Sequence, residues 1–165
     1  MAVKITQDRV AVIEAGLRAL TRDRVLVGIP GENAARDPDK GESEAPLNNA
    51  EIGYIHEFGS PAANIPARPF LRPGIENARE DVIKRLKRGA LAALQGDRAG
   101  IERAIHGAGQ SAADHVAEKI YDGPFVPLAP MTLRIRQEKG RTGEKPLLDT
   151  GQLRRAVTYV IESRE

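Results

Sequence analysis

Hydrophobic residues recur at helical spacing along most of the chain. A first helix is predicted from about Gln7, with Thr6 as its N-cap. Residues 49–58 predict a short second helix that ends at Gly59. From 74 to 122 the pattern is helical throughout, with a kink or tight turn at 95–97. Pro130 suits the first turn of a further helix that runs to about residue 138.

Strand patterns lie near the two ends. Val3 and Ile5 alternate with polar neighbours, the Val-rich run 24–29 is typical of a buried strand, and 157–161 alternates again. Strands near both ends with helices between them predict an α+β fold. We expect one small sheet, built from N-terminal and C-terminal strands, packed against a long central helix and shorter helices. The whole chain, 1–165, is then a single domain.

Two segments interrupt these patterns. Residues 31–48 contain Gly and Pro breakers and predict a mobile loop; residues 31–51 carry six acids and two bases, a net charge of −4. Residues 60–73 contain four prolines, which remove amide donors and favour extended backbone. We therefore expect a stiff Pro-rich arm without regular structure at 60–73.

Composition narrows the classes of function. The 165 residues are 41% hydrophobic and 29% charged, which is typical of a globular domain. The absence of cysteine excludes disulfides and thiolate chemistry, and a net charge of +2 does not by itself indicate nucleic-acid binding. No stretch approaches the ~20 apolar residues of a membrane helix, and the first residues lack the apolar run of a secretory signal. We expect the protein to be made and kept in a cytoplasm.

Asp149, Thr150 and Gly151 form the strongest enzymatic motif. Asp-Thr-Gly after two leucines resembles the catalytic turn of retroviral-type aspartic peptidases, in which two carboxylates share one proton. Only 16 residues follow Asp149, too few for the strands that complete such a site. The favoured interpretation is a helix start, with Asp149 or Thr150 as the cap and Gly151 easing the turn.

Other candidate chemistry is weaker. His56, His106 and His115 are not spaced to chelate one metal, and the glycines near 107 and 140 lack the context of phosphate-binding loops. No metal or cofactor is therefore predicted. Basic residues cluster on the central helix between Arg79 and Arg88 and again at 134–145. The first cluster leaves nucleic-acid binding by the basic helix face open as an alternative function, without aromatic residues for base stacking.

Three ordered motifs carry a resemblance. The first motif has two parts, YIHEFG at 54–59 and IPARPFL at 65–71. The second is PLAPMT at 127–132, and the third is PLLDTGQL at 146–153. Together they resemble a family of tailed-phage virion morphogenesis proteins, the neck or tail-completion components of long-tailed and Mu-like phages. Position 129 is Ala where that family often has Ser.

The resemblance implies a structural protein of the head–tail neck or the upper tail rather than an enzyme. Such proteins commonly assemble as six-fold rings, so the implied partners are further copies of the chain and neighbouring neck or tail proteins. It implies a place in the virion, with the host cytoplasm as the site of assembly. It implies no cofactor, no membrane, no small-molecule substrate and at most weak contact with DNA.

In this interpretation the Pro-rich arm docks on a neighbouring subunit. A stiff segment loses little entropy on docking, and aromatic side chains are frequent anchors. Phe58 and Phe70 flank the arm as its anchors, and Arg68 and Arg72 are placed to bind carboxylates. The alternative is an arm that folds back on its own domain. The candidate interaction residues are Phe58, Ile65, Pro66, Arg68, Pro69, Phe70 and Arg72, and the candidate turn residues are Gly59, Pro130, Asp149, Thr150 and Gly151.

Overall fold

The computed structural model describes residues 8–39, 41–43 and 47–163. The predicted strand at Val3 and Ile5 and the cap at Thr6 lie outside these residues. The described part contains six α-helices and two β-strands. In chain order they are α1 (Val10–Arg22), β1 (Asp23–Gly28), α2 (Asn49–Phe58), α3 (Leu71–Gln95), α4 (Arg98–Asp122), α5 (Pro130–Glu138), α6 (Gln152–Ala156) and β2 (Thr158–Ser163).

The α+β prediction is confirmed. β1 and β2 pair antiparallel, with Val25 opposite Ile161 and Val27 opposite Tyr159 on the inward face. On the outward face Arg24 forms an ion pair with Glu162 at 2.6 Å. The sheet contacts α4 mainly, and it joins the strand after the first helix to the strand at 158–163.

The long helical region is a hairpin of two helices. Gly96, in a left-handed conformation, ends α3, and the side chain of Asp97 caps α4 by accepting from the amide of Gly100. The two helices approach closely because small residues line their contact. A Cβ placed on Gly74 would lie 2.6 Å from the Cα of Val116. This close crossing fixes the position of α3 beside the sheet-bearing α4.

Two apolar clusters form the core. The larger one has Phe70, Val116, Ile120, Leu147 and Leu153 at its centre, and it joins the start of α3 to α4, α6 and the segment before α6. The second cluster joins the hairpin turn to α1 and the sheet through Ala92, Ala93, Ile101 and Ile105. Phe70 has the largest of the fully buried side chains.

Several boundaries differ from the sequence predictions. Helix α1 begins at Val10, where Asp8 accepts a hydrogen bond from the amide of Val10, three residues after the predicted start. Helix α3 begins at Leu71 and includes Pro73, so the prediction of irregular structure through 73 is wrong at its end. A proline in the first turn lacks only an amide that has no partner within the helix. The predicted start of α5 at Pro130 and the C-cap at Gly59 are confirmed.

Candidate protein-interaction site

Glu57 joins the end of α2 to the start of α3. One oxygen of its carboxylate accepts hydrogen bonds from the amides of Phe70 and Leu71, at 2.7 and 2.8 Å, and the other accepts from the amide of Arg72 at 3.1 Å. The first amides of a helix have no partner within it, and a negative charge there is favourable. Glu57 thus caps α3 from 13 residues away, and the two parts of the first motif, 54–59 and 65–71, meet at this contact.

The segment between the two helices closes into a compact loop. Ser60 and Ile65 exchange two backbone hydrogen bonds, of 2.8 and 3.0 Å, around a short 3-10 turn. Gly59 has a φ of 77°, and a Cβ there would lie 2.9 Å from the amide nitrogen of Ala67. Glycine is therefore required at 59 both by its backbone conformation and by the close approach of the chain.

Arg68 ties this loop to the segment before α5. Its guanidinium donates to the carbonyl oxygens of Val126 and Pro127, at 2.8 and 3.0 Å, and its amide donates to the carbonyl oxygen of His56. The residue is only 5% exposed. Burial, followed by the nearby cation of Arg136, lowers the pKa of Arg68.

The expectation of a projecting arm with Phe70 at its tip is therefore corrected. Phe70 is 2% exposed in the larger core cluster, and the polar groups of Arg68 are used within the chain. The segment folds back because burying the phenylalanine ring and capping α3 both draw it inward. Ile65 is partly buried, whereas Pro66, Pro69 and Arg72 are exposed, and Phe58 is 60% exposed.

Arg136 holds the third motif in place. This buried side chain on α5 donates to the carbonyl oxygens of Gly143, Lys145 and Leu148 through Nη1 and of Pro146 through Nη2. In the sequence this residue is one member of the basic cluster at 134–145, and nothing local distinguishes it from its exposed neighbour Arg134.

Asp149 does not cap α6. Its carboxylate pairs with Nε of Arg136 and Nε of Arg141, at 3.4 and 3.1 Å. Gly151, with a φ of 75°, occupies the N-cap position, and the hydroxyl of Thr150 accepts a 3.4 Å contact from the amide of Gln152. Of the two predicted candidates for the cap, Asp149 is engaged by the arginines, and Thr150 makes the side-chain contact at the start of α6. Both arginines pair with the carboxylate of Asp149. The peptidase interpretation needs this carboxylate to share a proton with a second one, which two neighbouring cations oppose.

The described part of the acidic loop contacts the basic C-terminal region of the same chain. Asp39 pairs with Lys139 and Arg141, and the amide of Asp37 donates to the side-chain oxygen of Gln152 at 2.7 Å. The acidic residues of this loop and the basic residues at 134–145 thus meet within one subunit. The mobility of loop 31–48 stays a prediction.

His56 lies near the cations of Arg68 and Arg136. Burial, together with the cations of Arg68 and Arg136, lowers the pKa of His56 from 6.5 to about 4. The imidazole is therefore neutral near pH 7. His115 lies within 2.8 Å of the carbonyl oxygen of Ser111, and His106 lies 3.1 Å from the hydroxyl of Tyr159, so the structure does not bring the three histidines together in one cluster.

A large apolar groove lies between β1 and α3. Its volume is about 1040 Å³, and its floor includes Ile105, Ala108 and Ala112 of α4. Ile75 and Ile83 of α3 line it while remaining about 40% exposed. Helix α2 closes one end. Exposed apolar grooves of this size are typical of binding sites.

Two aromatic side chains project at the α2 end of the groove. Tyr54 and Phe58 are 68% and 60% exposed, and their ring centroids lie 4.8 Å apart at an interplanar angle of 49°. They are neighbours because they are four residues apart on one helix. Phe58 is among the predicted interaction residues and Tyr54 is not, although their spacing of four residues places them side by side on a helix.

Other sites give no centre for chemistry. Within 8–39, 41–43 and 47–163, no group of three His, Asp or Glu residues is placed to hold a metal ion. No helix among those same residues is long and apolar enough to cross a membrane. The cations of the basic cluster on α3, from Lys84 to Arg88, are all exposed.

Comparisons with known proteins do not show a family. No family model matches the chain, and no solved structure matches it. An uncharacterized protein of Methanocaldococcus jannaschii is 42% identical over 45 residues, which are 27% of this chain and 33% of that protein. The chain thus matches about one third of the length of that relative, which carries no named function.

Proposed function

We propose that this protein is a structural virion-assembly protein of a phage or prophage, of the head–tail neck or tail-completion type. It acts by binding other proteins and does not catalyse a reaction. The resemblance of the motifs at 54–71, 127–132 and 146–153 supports the class of protein. In this proposal those motifs build the frame of the subunit through Glu57, Arg68 and Arg136, and the partner binds beside them.

The observation that carries the proposal is the exposed apolar groove with Tyr54 and Phe58 at its end. Exposed aromatic residues beside an apolar surface are typical of the anchors of protein interfaces. The groove is bounded by regular elements on three sides, so a partner binds it without a large ordering cost. The partner assigned to it is an adjoining neck or tail component or a further copy within a ring.

The ring is the six-fold assembly that the resemblance implies, located at the head–tail junction or the upper tail. A head-to-tail ring uses two different patches on each subunit. The groove is one such patch. Contact with DNA passing the ring is at most weak in this proposal, because the net charge of the chain is only +2.

Electron microscopy of particles made without this protein tests the function. The gene is deleted from the phage or prophage that encodes it, and the lysate is examined with and without complementation by the intact chain. The proposal predicts separate heads and tails that become joined again on complementation. Complete particles at the normal yield in the deletion would contradict it.

A further inference from the structure

Helix α3 leaves much of its surface without a partner. Six consecutive residues, 83–88, are all exposed, although they lie in the middle of a 25-residue helix. Its exposed large apolar side chains are Ile75, Ile83, Leu86, Leu91 and Leu94. A helix face that combines apolar side chains with charges and lacks a neighbour is typical of an interface with another molecule.

The charges on this face are segregated along the helix. A row of exposed residues four apart reads Arg72, Glu76, Glu80, Lys84 and Arg88, so between 76 and 88 the two acids come first and the two bases follow. The next acidic residue after Asp81 is Asp97, so the basic half has no acid of its own. The helix dipole does not account for this order, because its effect is confined to the first and last turns and these residues lie further inside.

Pairing within α3 uses few of these charges. Lys84 lies 3.3 Å from Asp81, and Arg79 lies 4.0 Å from Glu76, both between exposed side chains. Among the described residues, Glu80, Lys87 and Arg88 take part in no ion pair. Such exposed pairs contribute little to stability, so the row remains available to an outside partner.

We propose that α3 is a docking surface for a second copy of this chain, which lies antiparallel on the same face of α3. A two-fold axis level with Val82 sets Glu80 opposite Lys84 of the second copy and Glu76 opposite Arg88 of the second copy. The two acids of each row then meet the two bases of the other, and Arg72 lies beyond these pairs. The adjacent row supplies the apolar contacts through Ile83 and Leu91.

Only a second copy in this orientation matches both halves of the row. A polyanion such as duplex DNA matches the basic half and is repelled by the acids one turn earlier. A parallel copy sets like charges opposite each other, which is unfavourable. The contact is isologous and closes after two subunits, so it pairs chains, or stacks rings, and does not build the ring itself.

Sedimentation equilibrium of the full chain at low salt tests the pairing. The wild-type chain is expected to dimerise, with an affinity that falls as salt screens the charges. The variants Lys84→Glu/Arg88→Glu and Glu76→Lys/Glu80→Lys each place like charges opposite one another, and each should weaken self-association at least tenfold. Mixing the two variants restores opposite charges and should restore association, as heterodimers.

Arg134→Glu provides the matched control. Arg134 is exposed on α5 and forms no ion pair among the described residues, so its reversal should leave the dimer unchanged. Far-ultraviolet circular dichroism checks that each variant retains its helices. A wild-type chain that stays monomeric at every concentration, or charge variants that dimerise like the wild type, would overturn the proposal. Lys84 and Arg88 do not line the groove, so the result for Lys84→Glu/Arg88→Glu is distinguishable from that for the proposed function.

Discussion

The carboxylate of Glu57 accepts a 2.7 Å hydrogen bond from the amide of Phe70, and the ring of the same Phe70 is buried at the centre of the larger core cluster. One residue thus links the cap of α3 to the apolar core. The two parts of the motif at 54–71, which contain Glu57 and Phe70, are therefore a structural unit. Tyr54 and Phe58 remain exposed on the surface of this unit.

Replacing Glu57 should destabilise the whole domain. Glu57→Ala removes three accepted hydrogen bonds and leaves the start of α3 uncapped, which we expect to lower the free energy of unfolding by about 2 kcal/mol. Urea denaturation measures this loss. Glu118→Ala, an exposed glutamate within α4, is the control and should change stability by less than about 0.5 kcal/mol. Equal losses of unfolding free energy in the two variants would show that Glu57 contributes no more to stability than an ordinary exposed glutamate.

Phe70 and Phe58 should differ sharply in their effect on stability. Phe70→Ala leaves a cavity in the core and should cost about 3–5 kcal/mol, whereas Phe58→Ala at an exposed site should cost less than about 1 kcal/mol. Thermal and urea unfolding of both variants make the comparison. A Phe70→Ala chain as stable as the wild type would mean that this ring does not lie in the core.

Arg136 cannot be replaced by lysine without loss. A lysine ammonium cannot reach four carbonyl oxygens and the carboxylate of Asp149 in the fork geometry of a guanidinium, so buried acceptors lose their donors. We expect Arg136→Lys to lower stability by about 3 kcal/mol. Arg134→Lys, on the exposed side of the same helix, should have almost no effect. The urea denaturation midpoints of the two variants are compared with that of the wild type. Equal midpoints for both variants would contradict the role of Arg136.

His56 should make stability depend on pH below neutrality. Its pKa is about 4 in the folded chain and 6.5 when exposed, so between those values the unfolded chain binds the proton first. Stability should therefore fall as the pH is lowered from about 6.5 to 4 and then level off, by at most about 3 kcal/mol from this residue. His56→Gln should flatten the profile in that window. An unchanged slope in the variant would contradict the buried, neutral imidazole.

The regular elements of the fold could be predicted well from the sequence. Periodicity and turn residues located the helices because each signal is local, as at Pro130 and Gly59. The direction of the segment 60–73 could not be predicted, since it depends on the core, whose residues Val116 and Leu147 are remote in sequence. The same holds for Asp149, whose partners Arg136 and Arg141 come from another element. The local pattern made Asp149 one of two candidates for the cap of α6, whereas its carboxylate forms ion pairs with these arginines instead.

The groove shows the same limit. Its walls come from β1 and α3, and its floor comes from α4. The sequence of either wall segment alone does not indicate that the two walls are separated by a groove. Of the two aromatic residues at its end, only Phe58 is among the predicted interaction residues. The exposure of Tyr54 depends on how the chain folds.

The most direct test of the central claim replaces both aromatic residues at the end of the groove and measures head–tail joining. A Tyr54→Ser/Phe58→Ser chain and the control Met131→Gln, which changes an exposed residue of α5, are each used to complement the deletion. The fraction of joined particles is counted by electron microscopy. The account predicts that the double variant remains folded, within about 1 kcal/mol of the wild type, but yields at least tenfold fewer joined particles, while the control joins normally. Normal joining by the folded double variant would contradict the account.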